Sequence, residues 1–300
     1  MEKKLLVPNI TFFNKNGEIN YHMTEEHIDW LISNGVNGFF MTGTYGLGPL
    51  LNADECLRIY EICNKKSDEN IAQINRNNLK ETLELIEDAK NIGIKKFASV
   101  VPYYYSYSEK EIVEYFCKLK NISREKIFLY NNPKTTKFNI KPTLLDKLIE
   151  AGIDGLKDSS LNYAIISSAL TQKERDASFN IMIGSSVGWN IFKTNKIDAM
   201  ISGMCNYVPE IVKKVFELSQ QGDNTEFNYA YNIMLEMNKK LSIYDSISLT
   251  FGALRNRKRL SLYTREPKNI FLKDEDYEYI EEVIKTAFIK LNLENEFLIK

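Results

Sequence analysis

Histidine is nearly missing from this chain, with only His22 and His27 in 300 residues. The four cysteines, Cys56, Cys63, Cys117 and Cys205, are scattered without metal-ligand spacing, so no zinc motif exists and no metal site is expected. An excess of one charge is also missing. The net charge is −1, with acids and bases interspersed, which leaves no electrostatic footprint for nucleic acid. No apolar stretch approaches the roughly 20 residues that cross a bilayer. Met1-Glu2-Lys3-Lys4 leads into Leu5-Leu6-Val7-Pro8, an apolar run too short for a signal peptide. A cytoplasmic protein with no nucleic-acid or membrane partner is expected. Glycine and proline form no linker-like cluster.

What is present suits a globular enzyme or binding protein: 44% hydrophobic and 26% charged residues, on a chain long enough for a sizeable core. Short β-prone runs at 5–12, 38–41, 71–74, 96–101, 127–130, 153–157, 180–183 and 199–202 alternate with amphipathic stretches. The latter fall at 24–34, 52–66, 79–92, 108–120, 142–151, 163–171, 187–195 and 209–220. Ser108 followed by Glu111 has the capping-box pattern, and Pro142 and Pro209 suit a first helical turn. The fold class is α/β. This alternation suits a (β/α)8 TIM barrel over 1–222, with a doubly wound sheet as the alternative. Beyond it the strands stop. Helical patterns at 223–242, 248–259 and 274–291 predict a C-terminal three-helix extension over 223–300.

In such a barrel, functional groups sit at the C-terminal ends of strands. Lys157 closes the apolar run Ile153-Asp154-Gly155-Leu156. A strand-end lysine can simply reach solvent or pair with Asp158, but one held in a pocket loses its charge and becomes a nucleophile. Tyr130 ends the preceding strand, one strand–helix unit earlier, where a hydroxyl could shuttle protons to a lysine-bound imine. The second strand runs into Thr42-Gly43-Thr44-Tyr45-Gly46-Leu47-Gly48-Pro49, whose glycines leave backbone amides open to an anion. The fourth runs into Pro102-Tyr103-Tyr104-Tyr105. Tyrosine clusters are more often packing than chemistry.

Taken in order, Gly43-Thr44-Tyr45-Gly46, Pro102-Tyr103-Tyr104, Tyr130-Asn131-Asn132-Pro133 and Gly155-Leu156-Lys157-Asp158 resemble the dihydrodipicolinate synthase/N-acetylneuraminate lyase family along essentially the whole chain. Within it, Gly46-Leu47-Gly48-Pro49 and Asn206-Tyr207-Val208-Pro209-Glu210 look most like the archaeal 2-keto-3-deoxygluconate aldolases. The resemblance implies a class I aldolase that cleaves 2-keto-3-deoxygluconate to pyruvate and glyceraldehyde. It implies no cofactor beyond a covalent lysine–substrate imine, a 2-oxo acid and an aldehyde as small-molecule partners, and a homotetramer built as a dimer of dimers. By resemblance, Lys157 attacks the C2 ketone and Tyr130 relays the proton of the C4 hydroxyl. Gly43, Thr44 and the amides of Thr44 and Tyr45 bind the carboxylate. Tyr104 reaches the active site of a neighbouring subunit, and the backbones of Gly184 and Ile201 line the pyruvate end. Ser185 meets substrate hydroxyls. A sugar-acid dehydratase, or another lyase or synthase of the family, is the alternative.

The sequence departs from the family pattern at three places. Tyr45 stands where most members have threonine or serine, and its bulk is expected to narrow the pocket. Thr135 occupies the place of the arginine that dihydrodipicolinate synthases keep for a dicarboxylic partner. No arginine follows Pro102-Tyr103-Tyr104 in Tyr105–Ser108, and none lies in Lys239-Lys240-Leu241-Ser242, which predicts a preference for the non-phosphorylated substrate.

Overall fold

A computed structural model of the protein describes every residue except Met1, Asn195, Gly222, Asp223, Arg259, Ile299 and Lys300. Eight strands run parallel in chain order: β1 (Lys4–Val7), β2 (Gly38–Met41), β3 (Ile71–Gln73), β4 (Lys96–Ser99), β5 (Lys126–Asn131), β6 (Gly155–Asp158), β7 (Asn180–Ile183) and β8 (Ala199–Ile201). β8 pairs back onto β1, with Leu5 opposite Met200, so the sheet closes and the doubly wound alternative falls. Alternate side chains divide between two layers. Leu6, Phe40, Phe128, Met182 and Ile201 fill the barrel lumen, while Leu5, Phe39, Leu129 and Leu156 face the helices.

Register is set at the base of the barrel by a repeated device. The side chain of the residue immediately before four of the strands, Asn37, Asn70, Asp154 or Asp198, accepts from the amide of the second residue of the preceding strand. Those amides belong to Leu5, Phe39, Ile127 and Ile181, at 2.7–3.0 Å. At β5–β6, Asp154 also accepts from Lys120 Nζ at 2.7 Å. A slip of one residue would turn every lumen side chain outward. These carboxylate and amide side chains therefore help place Tyr130 directly opposite Lys157.

Helices α1 (Tyr21–Ser33), α2 (Ala53–Asn64), α3 (Leu79–Asn91), α4 (Glu109–Ser123), α6 (Pro142–Glu150), α7 (Tyr163–Arg175) and α9 (Pro209–Gln220) surround the barrel. The Ser108–Glu111 capping box forms, and Pro142 and Pro209 sit in first turns. Three expectations shift. The strand expected over 5–12 stops at Val7, because Pro8 brings no amide to a ladder, and the chain leaves the sheet while staying buried. The helix expected over 187–195 contracts to α8 (Trp189–Phe192), behind a turn in which the Gly188 amide donates to the Ser185 carbonyl; Asn195 lies outside the described residues. A one-turn helix after β5, α5 (Pro133–Thr136), carried no periodic signal. His27 is buried between Phe12 and Trp30, and burial lowers its pKa to about 3.

The chain continues into α10 (Asn224–Leu241), α11 (Ser246–Lys258) and α12 (Asp274–Lys290). The expected ends at 223 and 259, like the boundary at 222/223, fall on residues outside the described set. α10 packs on α9, α12 packs on α10 and α11, and α11 also meets the turn Gly203–Asn206 after β8. Among the described residues, no helix is long and apolar enough to cross a membrane.

Candidate active site

β6 turns Lys157 into the lumen and Asp158 outward. Asp158 is buried but satisfied: Asn131 Nδ2 donates to it at 2.7 Å, the Ser160 hydroxyl at 2.8 Å and the Leu161 amide at 2.7 Å. It is therefore no counter-ion for Lys157. The lysine is 3% exposed, and its Nζ lies 3.3 Å from the centroid of the Phe40 ring and 3.8 Å from that of Tyr130. No carboxylate pairs with it among the described residues. Two aromatic faces offer less to an ammonium than the water they replace, and burial holds the Lys157 pKa well below that of a free lysine. The amine is thus set up as a neutral nucleophile.

Tyr130, on the facing lumen position of β5, is 5% exposed. Asn132 Nδ2 donates to its hydroxyl at 2.9 Å, and the hydroxyl side chains of Thr44 and Ser159 lie close enough to favour its ionised form. Burial raises its pKa, and these three partners offset part of the rise. Ser159 and Asn132 are functional neighbours that the motif reading did not single out. Asn132 had a signal, since it lies two residues from Tyr130, the same-face spacing of a strand. Ser159 follows Lys157 in the loop and carried none.

The glycine loop is built for open amides. Thr42 and Leu47 adopt positive φ of 49° and 54°, and the Gly48 amide donates to the Gly43 carbonyl at 3.1 Å. A side chain on Gly48 would collide with the Thr42 carbonyl, so this position requires glycine. The amides of Thr44 and Tyr45 donate to no acceptor among the described residues, and both remain available to an anion. Arg76 ties the end of the loop down by donating to the carbonyls of Gly48 and Leu51, at 3.3 and 2.9 Å. Arg265 does the same from the C-terminal side, binding the Leu50 carbonyl at 3.0 Å and Glu55 through both carboxylate oxygens.

The remaining expected residues divide. Gly184 follows β7 beside the lysine side chain: a Cβ there would lie 3.1 Å from Lys157 Cε and 2.5 Å from the Ser159 hydroxyl oxygen. Ile201 is buried in the lumen. Ser185 is half-buried, with its hydroxyl 3.4 Å from the Val187 amide. Tyr45 turns from the glycine loop towards Gly203 and Ser246, and burial pushes its pKa to about 12. Two of them are exposed. Thr135 is exposed on α5, its hydroxyl donating to the Asn132 carbonyl at 3.2 Å. Tyr104 is 89% exposed at φ 82° with its ring against that of Tyr105, whereas Tyr103 turns inward onto the lumen cluster.

A buried, unpaired lysine opposite a tyrosine relay at the C-terminal mouth of a closed barrel is a distinctive arrangement, and a family model coincides with it. The model of the Dihydrodipicolinate synthetase family matches residues 1–285. The chain belongs to this family. It is an enzyme of the family's pyruvate-dependent lyase class. One relative is the 2-dehydro-3-deoxy-phosphogluconate/2-dehydro-3-deoxy-6-phosphogalactonate aldolase of Saccharolobus solfataricus, 26% identical over 98% of this chain and 99% of its own. Its namesake from Sulfurisphaera tokodaii is 28% identical over 80% of each chain. A 4-hydroxy-tetrahydrodipicolinate synthase of Methanococcus aeolicus is 27% identical over 76% of this chain and 80% of its own. Among solved structures, a variant of Sulfolobus solfataricus 2-keto-3-deoxygluconate aldolase superposes with a TM-score of 0.86 at 26% identity, covering 99% of this chain and all of that one. A complex of a Sulfolobus 2-keto-3-deoxygluconate aldolase with D-KDPG gives the same TM-score at 27% identity, over the same shares of the two chains.

Proposed function

We propose that this member of the dihydrodipicolinate synthetase family reversibly cleaves 2-keto-3-deoxygluconate to pyruvate and glyceraldehyde through an imine on Lys157. The observation that carries the reading is the uncompensated Lys157 amine against the ring of Tyr130, whose hydroxyl accepts from Asn132 and lies near Thr44. The open amides of Thr44 and Tyr45 hold the substrate carboxylate and so present C2 to the amine. Attack on the ketone and loss of water give an iminium, which is the electron sink. Removing the C4 hydroxyl proton through Tyr130 breaks the C3–C4 bond, releases the aldehyde and leaves an enamine. Protonation at C3 and hydrolysis then return the amine and free pyruvate. The iminium accepts the electron pair, so the reaction uses no metal or organic cofactor. Tyr104 of one subunit completes the relay of another, within a homotetramer.

Arg76, Arg257 and Arg265 are all committed to protein carbonyls or carboxylates, which supports the non-phosphorylated substrate. Borohydride reduction with pyruvate should place one adduct on Lys157. A coupled pyruvate assay over a panel of sugar acids should give turnover with 2-keto-3-deoxygluconate. Elimination without pyruvate release would make the enzyme a dehydratase, and a kcat/KM at least about tenfold higher for the 6-phosphate ester would remove the stated preference. Tyr130→Phe should lower kcat by about 10²–10⁴, the usual worth of a positioned proton carrier. Pyruvate should still be trapped on Lys157 in that variant. An unchanged kcat would take the relay away from Tyr130.

A further inference from the structure

The loop that leaves β7 begins beside the nucleophile and is gripped from outside the barrel. Its first amide, that of Gly184, donates to the Asp158 carbonyl at 2.7 Å. At its far end a Cβ on Gly188 would lie 2.5 Å from Ile183 Cγ2, so bare backbone packs on that side chain. Between these anchors Val187 is exposed, yet both of its polar backbone groups are engaged. The Val187 amide donates to the Ser185 hydroxyl oxygen at 3.4 Å. The Val187 carbonyl accepts from the Tyr231 hydroxyl at 2.8 Å.

Tyr231 belongs to α10, is buried, and stacks its ring on Phe227. Asn224, Phe227 and Tyr231 recur at helical spacing and share one face of α10. The same face takes Lys193, whose amine donates to the Asn224 side chain and lies 4.2 Å from the centroid of the Phe227 ring. The C-terminal extension therefore holds the chain on both sides of α8.

What this grip controls depends on where the substrate lies. Lys157 starts on β6, but its Nζ reaches the ring of Phe40 on β2, the opposite strand of the closed barrel. With the carboxylate on the amides of Thr44 and Tyr45, C1 and C2 both sit over β2. The remaining carbons run back across the mouth, past the Tyr130 hydroxyl, towards the rim over β5 to β7. A Cβ on Gly184 would crowd Lys157 Cε, so Ser185 follows directly at the edge of the site. The Val187 amide takes up one lone pair of the Ser185 hydroxyl, which leaves its proton and second lone pair for a substrate hydroxyl.

We propose that Tyr231 is a positioning residue for the hydroxylated tail of the substrate. Through Val187 it fixes the Ser185 hydroxyl, which binds the tail beyond C4. The inference rests on the sugar-acid cleavage proposed above.

Tyr231→Phe deletes the hydroxyl and keeps the stacked ring. It should raise KM for 2-keto-3-deoxygluconate at least about threefold, the worth of one neutral hydrogen bond. Pyruvate has no tail, so the concentration that half-saturates borohydride trapping on Lys157 should stay within about twofold. Neither quantity depends on how much of the variant folds. Ser185→Ala should raise KM at least about threefold as well. Adding Tyr231→Phe to it should raise KM by less than about twofold further, because both changes break one chain of contacts. A smaller rise in KM from either single variant would overturn the inference. So would a pyruvate half-saturation that rises along with KM, the mark of general damage to the barrel. A further rise of about twofold or more in the Ser185→Ala background would overturn it too, since the two residues would then act independently. A wild-type enzyme that traps pyruvate on Lys157 but cleaves no 2-keto-3-deoxygluconate would instead remove the proposed function, and this inference with it.

Discussion

Replacing Lys157 with methionine should abolish the proposed aldol cleavage and at the same time stabilise the protein. The activity loss should be on the order of 10⁵-fold, as when a covalent nucleophile is deleted. The gain in stability follows from the site's physics, since methionine fills the same lumen without an amine held between Phe40 and Tyr130. Removing an uncompensated buried polar group is worth about 1–3 kcal/mol. Linkage fixes the pH dependence. In the unfolded chain the lysine titrates near its ordinary value, whereas burial lowers its pKa in the folded state. Between those two values the unfolded chain binds more protons, so wild-type stability rises with pH. The advantage of Lys157→Met should accordingly be largest below the depressed pKa and should fade as pH approaches the ordinary lysine value. Urea unfolding of both proteins across that range measures it. A variant less stable than wild type at neutral pH would contradict the picture of a destabilised amine.

Arg257→Met should cost about 3–5 kcal/mol, the range for breaking a buried ion pair. The guanidinium is fully buried in α11 and uses all five of its donors. Nη1 and Nη2 bind Glu210 at 3.0 and 2.8 Å. The rest go to the carbonyls of Tyr207, Glu296 and Phe297. Removing it strands the Glu210 carboxylate in α9 and unties both the C-terminal residues and the turn after β8. Replacing Glu210 with methionine as well should recover a large part of the loss, because two apolar side chains leave no charge uncompensated. Denaturant midpoints of the single and double variants decide the matter. A single variant within about 1 kcal/mol of wild type would mean that water already reaches the pair.

Much of the catalytic centre was legible because strand geometry is local. Lys157 and Tyr130 each close an apolar run one strand–helix unit apart, and parallel pairing puts such residues opposite each other at the same end. The four residues that hold register, Asn37, Asn70, Asp154 and Asp198, were also in plain view. Each immediately precedes a strand, but only the barrel reveals whose amide it accepts. Ser159 was not legible, since loop geometry rather than spacing turns its hydroxyl to Tyr130. Tyr104 was expected to serve a neighbouring subunit, and the structure leaves it exposed at positive φ. The sequence shows three tyrosines in a row, and only the loop conformation separates Tyr103, turned in, from its exposed neighbours.

The sequence by itself determined the alternation of strands and helices, the strand-end positions of Lys157 and Tyr130, and the glycine loop with its two open amides. All of these depend on residues within one or two strand–helix units, where periodicity and strand ends are decisive. Tertiary structure alone decided that the sheet closes, that Lys157 has aromatic rings and no carboxylate for neighbours, and where Tyr45 points. Tyr45, Gly203 and Ser246 come from the second strand's loop, the eighth strand's exit and a C-terminal helix. Contacts between segments so far apart arise only from closure and packing. That is why the bulk at Tyr45 could be noticed in the sequence, while its seat on Gly203 could not.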